Sequence, residues 1–163
     1  MCLTTKDKKL QIATEDIPCY KILLRDEKGN FHSPYYPMKW EVGKTYINTE
    51  VGIEDVFPTH EYKDIYNGYY HTYNSLEGCV NNAETDYRAS SVHYYVFKAI
   101  IPKGSEYYMG KHSAYSYGYA SKQLKLTNKY QEIIVKHDSP QPCENDTQIS
   151  GVKTYKEKQC EDL

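Results

Sequence analysis

Histidine, cysteine and tyrosine are the side chains here whose type invites chemistry, and their spacing decides which kind. The six histidines are His32, His60, His71, His93, His112 and His137. They never pair at HxH, HxxxH or HxxE spacing, the separations that set imidazoles and carboxylates on one edge of a strand or one face of a helix. No metal centre is expected. His71 stands apart because it falls in a strand-like segment just ahead of a helix start, where backbone N–H groups and the helix dipole can receive an anion. The five cysteines, Cys2, Cys19, Cys79, Cys143 and Cys160, are odd in number, far apart and without a CxxC. Neither a disulfide framework nor a zinc knuckle is indicated. Cys19 and Cys79 suit small buried apolar positions, and a spatial dyad of Cys79 with His71 is the reactive alternative. No GxSxG elbow and no GxGxxG or GxxxxGK[ST] loop occurs, which excludes those nucleophile and phosphate-cradling designs.

Tyrosine is the remaining instrument, with 19 copies in 163 residues. Eight of them form four doublets, Tyr35-Tyr36, Tyr69-Tyr70, Tyr94-Tyr95 and Tyr107-Tyr108. In a strand such a doublet puts one ring on each side, so a sheet that buries half of these rings displays the other half. Exposed tyrosine offers a large contact area at little rotamer entropy, and its ring can stack on a base or a nicotinamide. Cross-strand packing in a thin core accounts for the doublets. It accounts least for Tyr115, Tyr117 and Tyr119, alternate positions in the loop-like SAYSYGYAS, whose same-side rings suit a ligand or partner surface. With Tyr69, Tyr70 and His71 they form the candidate binding surface, for a protein or a small anionic ligand. No complete catalytic set accompanies it.

The elements that must position these residues are short. Cys19 to Leu24 reads as a strand, followed by a turn over Asp26 to Asn30 and a return from Phe31. Pro34 and Pro37 keep SPYYPMKW irregular or at an edge. KTYINT, 44–49, is a short strand, and 50–67, containing Gly52 and Pro58, a loop. Asn67-Gly68 marks a turn into a strand over Tyr69 to Tyr73. Asn74, with Glu77 three residues on, fits a helix N-cap. The helix runs from 75 to about 89, with Leu76, Val80, Ala83 and Tyr87 on one face and Cys79 beside them. Val92 to Ile101 is apolar on both alternating faces and so central in its sheet. After the Pro102-Lys103-Gly104 turn come a strand near 107–110, a loop at HSAYSYG and two strands at 122–127 and 130–135. One helix among such strands, with no repeated βα alternation, predicts a single α+β domain on a mostly antiparallel, curved sheet. It spans 17–137, between a flexible segment 1–16 and a flexible tail 138–163 rich in Pro, Asn, Asp and Gln.

Charge narrows the partners. Lys+Arg number 20 against 22 Asp+Glu, a formal charge of −2, so no net basic field draws the protein to nucleic acid or to an anionic membrane. The longest near-apolar run, Tyr94 to Ile101, is interrupted by Lys98 and falls well short of the roughly 18 residues that a membrane-spanning helix needs. The first sixteen residues carry no apolar signal core, so the expected compartment is the cytoplasm.

The stretch NGYYHTYNSLEGCVNNAETDY, 67–87, resembles the central element of ADP-ribosyltransferase-like domains. There a glycine-led aromatic strand carrying a small hydroxyl residue runs into a helix that starts over the nicotinamide pocket. The resemblance implies NAD as cofactor and a pocket lined by Tyr69, Tyr70 and Thr72. It also implies Tyr20 and Lys21 where such folds place a first-strand Arg or His, and a late glutamate, Glu106 or Glu132, orienting the ribose. Lys21 is neither Arg nor His, and neither glutamate shows the paired Glu/Gln spacing, so an inactive version of the fold is included. CYKIL, GYYHTYNSLE, VFKAIIPKGSEYYMG and YASKQLKL together resemble short uncharacterised proteins of Bacteroides-type bacteria and their phages, over about 17–135. That resemblance implies a common domain and no activity. The leading expectation is a cytoplasmic, phage-derived, non-enzymatic binding module without a cofactor. An NAD-dependent ADP-ribosyltransferase-like enzyme and a virion or assembly component are the alternatives.

Overall fold

The computed structural model describes residues 3–5, 9–34, 38–52, 54–56, 63–65, 68–84, 91–113, 116–136 and 157–159. Strands β1 (Leu3–Thr5) and β2 (Gln11–Ile12) precede the long β3 (Ile17–Arg25), followed by β4 (Phe31–His32), β5 (Lys39–Trp40) and β6 (Thr45–Ile47). Next come β7 (Glu54–Val56), β8 (Lys63–Ile65), β9 (Tyr70–Tyr73) and the helix α1 (Leu76–Glu84). The chain continues through β10 (Ser91–Ile101), β11 (Glu106–Ser113), β12 (Ser116–Ser121), β13 (Gln123–Lys136) and β14 (Glu157–Gln159). The strands neighbour one another in the order β14-β13-β10-β3-β9-β12-β11-β1-β8-β7. Every pairing among the described residues is antiparallel. The molecule is thus mostly antiparallel sheet with one minor helix, as the α+β pattern led one to expect.

β10 is central because both of its faces are apolar. Tyr94 and Val96 pack with Ile22, Tyr73 and Ile133 on the side covered by α1, while Phe97, Ala99 and Ile101 pack with Cys19, Leu23, Leu124 and Leu126 on the other. The helix lies on its side of the sheet through Cys79, Val80 and Ala83, with Leu76 at the margin, the i, i+3, i+4, i+7 stripe of an amphipathic helix. Its cap differs from the sequence pattern. Ser75, not Asn74, closes the start, its hydroxyl accepting the Gly78 N–H at 3.1 Å, while the Asn74 N–H donates to the Tyr117 carbonyl on β12 at 3.1 Å. The expected helix positions 85–89 lie outside the described residues.

Four further differences have physical causes. The HSAYSYG loop is largely strand: residues 116–121 form β12, wedged between β9 and β11. A Cβ on Gly118 would land on the Thr72 carbonyl oxygen and the His112 ring. The small residues that suggested a loop are therefore a strand thinned to fit between close neighbours. The strands expected at 122–127 and 130–135 are one, β13, whose register against β10 shifts between Phe97 and Ala99, so a bulge joins the two alternating patterns. The loop expected over 50–67 contains β7 and β8, which pair with each other, β8 also meeting β1. Within 1–16, expected to be flexible, β1 pairs with β8 and β11 and buries Leu3 completely. Of the tail 138–163 the described part is β14, paired with β13.

Candidate binding site

Three aromatic side chains delivered by three separate ladders meet on the face of the sheet opposite α1. The turn after β3 is closed by the Asp26 carboxylate, which accepts the Asn30 N–H at 2.8 Å, and it returns the chain as β4. The pairing of Phe31 with Trp40 then turns the indole of β5 inward, where Trp40 Nε1 donates to the Ser33 hydroxyl at 2.7 Å. Tyr46 arrives on β6 opposite Leu124 of β13, and its hydroxyl accepts the Glu41 N–H at 2.6 Å. Tyr70 arrives on β9, opposite Ser121 of β12. The Trp40 centroid lies 4.6 Å from that of Tyr46 and 5.5 Å from that of Tyr70, the last pair edge to face, and Tyr46 and Tyr70 are 6.4 Å apart. Trp40 is buried, whereas Tyr46, Tyr70 and the nearby Tyr119 are half-buried, so the group opens to solvent along its tyrosine edges.

Beneath these rings lies a cation. Lys21 of β3 is only 8% exposed, its Nζ 5.2 Å from the Trp40 ring centroid and donating to the His71 carbonyl at 2.9 Å. β3 and β9 pair through Tyr20 and Tyr73, which points those two side chains to the α1 side and Lys21 and Thr72 to the aromatic side. Burial lowers the Lys21 amine from 10.5 to about 8. Among the described residues, the titratable groups acting on it are Cys19 and Cys79. Those thiols provide no counter-charge near neutral pH, since burial raises Cys19 to about 12 and Cys79 well above the usual thiol range. Thr72 is 0% exposed; its hydroxyl faces the Cys19 thiol, whose pKa it lowers against the effect of burial, and makes no other hydrogen bond among the described residues.

The residues expected to form one site are divided by the pleat. Tyr70 and Thr72 stand on the aromatic side of β9, and Tyr119 of β12 packs against the same core. Tyr69 is on the other side, against Tyr108 at 5.6 Å and under the Lys122 ammonium at 4.2 Å. His71 is there too, 5.8 Å ring to ring from His112, whose Nε2 contacts the Thr72 carbonyl at 2.9 Å. Tyr117 is 43% exposed, with Lys111 5.0 Å from its ring. Tyr115 lies outside the described residues. Of the late glutamates, Glu132 on β13 accepts the Tyr95 hydroxyl at 3.3 Å and sits 3.5 Å from His93, and Glu106 is exposed at the start of β11. Neither acts on Lys21. The buried, raised thiol of Cys79 does not suit a nucleophile paired with His71.

Trp40 and Tyr46 were missed by sequence reasoning, which read SPYYPMKW as irregular or an edge and KTYINT as a short strand without singling out either ring. The available signal was the single tryptophan of the chain, six residues before the tyrosine of KTYINT. Among the described residues no group of three His, Cys, Asp or Glu side chains is placed to hold a metal ion, and no helix is long and apolar enough to cross a membrane. No family model matches the chain, and no curated protein or solved structure matches it either.

Proposed function

We propose that the protein is a non-enzymatic binding module that takes a planar aromatic small molecule against the solvent-facing tyrosine edges of the Trp40–Tyr46–Tyr70 group. The observation that carries this reading is the convergence of three rings, brought by three independent ladders, with a buried ammonium 5.2 Å from the Trp40 centroid. Lys21 spends one N–H on the His71 carbonyl, and a ligand with a ring and a polar substituent would use its remaining donors together with the rings. Because Trp40 is the only tryptophan, its fluorescence reports on the site directly. Titration with a panel of planar compounds (nicotinate, nicotinamide, adenine, riboflavin) should give a saturable change with at least one of them, lost in Tyr70→Ala. A flat response to the whole panel would sink the proposal.

A second reading, the NAD-using ADP-ribosyltransferase-like enzyme, is favoured by one observation. Lys21 and Thr72 stand across from each other on β3 and β9, just ahead of α1, in the relation that the resemblance implies. Against it, no described carboxylate joins them. Incubation with NAD decides: release of nicotinamide that Lys21→Met and Thr72→Val abolish would make the protein an enzyme, and intact NAD leaves the binding module.

A further inference from the structure

We infer that the Trp40–Tyr46–Tyr70 box is built for an anionic ring, a planar aromatic carrying a carboxylate or similarly compact anion, with Lys21 as the counter-charge. This rests on the reading of the box as a ligand site and names the chemical class that it selects. A buried lysine is normally matched by a carboxylate. Lys21 has none among the described residues, and its one hydrogen bond, to the His71 carbonyl at 2.9 Å, leaves two of its three N–H groups to be used. Its nitrogen is turned towards the indole, at 5.2 Å from the ring centroid, so those donors belong to the aromatic side of the sheet. The buried Thr72 hydroxyl, on the adjacent strand and the same face, supplies a third donor.

Charge at the rim is mixed and the floor is positive. The exposed Glu41 is held 3.0 Å from Lys44, whose Nζ lies 5.3 Å from the Tyr46 ring centroid, and the exposed Glu50 acts on Tyr70. The buried ammonium of Lys21 is the charge that favours the anionic end inward. A neutral carboxamide of the same shape would stack equally well and forgo the ion pair, and a cationic ring would meet repulsion from Lys21.

The test compares nicotinate with nicotinamide, which share a ring and differ in charge, by Trp40 fluorescence and calorimetry at pH 7. Nicotinate should bind at least tenfold more tightly. In Lys21→Met, whose fold is checked by circular dichroism, that ratio should fall close to one while nicotinamide binding persists. Equal affinities in the unaltered protein, or a nicotinate preference that survives Lys21→Met, would overturn the anion assignment and leave the box standing as a ring site. Silence towards both compounds would overturn the anion assignment, and the site falls with it only where adenine and riboflavin are silent as well.

Discussion

Two aromatic clusters share the face of the sheet opposite the helix, and they are built differently. At one end Phe31 meets Phe97 at 4.8 Å and Tyr95 at 5.3 Å, both edge to face, and Tyr130 stacks on Phe97 at 5.1 Å. Every ring there packs on another ring or on aliphatic core, and the one cation nearby, Arg25, lies over Phe31 at the exposed end of β3. At the other end Trp40 meets Tyr46 and Tyr70, and the buried ammonium of Lys21, with no carboxylate beside it among the described residues, lies 5.2 Å from the Trp40 centroid. The first cluster gains stability from every contact it makes. The second gives some up, because desolvating a charge without a partner opposes folding. The same residue type thus packs chiefly against rings and aliphatic core at one end and beside a buried cation at the other.

Substitutions should separate the two ends. The largest effect is expected from Phe97→Ala: a fully buried ring at the crossing of β3, β10 and β13 should cost about 3–5 kcal/mol in urea denaturation. A loss under about 1 kcal/mol would deny that this end is the structural one. Lys21→Met should act in the opposite sense. The folded amine titrates at about 8 and the free amine at 10.5, so the folded state binds fewer protons than the unfolded state between those values, and stability rises with pH across that window. The penalty is complete below about pH 8, where removing the charge should stabilise the ligand-free protein by up to about 3 kcal/mol. The difference between the two proteins should shrink towards zero as pH rises to 10.5; a difference that grows instead would remove the unmatched charge from the comparison. Smallest of all, Tyr117→Ala removes an exposed ring that belongs to neither cluster, and should change stability by less than about 0.5 kcal/mol and leave Trp40 fluorescence titrations unaltered.

Local pattern carried much of the fold. The double-faced alternation of Val92 to Ile101 marked the central strand, and the spacing of Leu76, Val80 and Ala83 marked the buried face of the helix, because these signals depend only on the repeat of each element and on hydrophobicity. Glycine misled in SAYSYGYAS: Gly118 is required by the closeness of β9 and β11, and the Thr72 carbonyl that a Cβ would strike first lies about 46 positions away, beyond any local pattern. The site was legible in parts. Tyr70 was singled out from its doublet, and Lys21 and Thr72 came only with the family resemblance. The amino-acid order by itself determined that tyrosine doublets would put rings on both sides of the strands, since side chains in an extended chain must alternate. Only the tertiary structure decided which rings met an unmatched charge. Trp40, Tyr46, Tyr70 and Lys21 sit on four strands whose meeting depends on long-range pairing across the sheet, and the burial that leaves Lys21 without a counter-ion is a property of that assembled face.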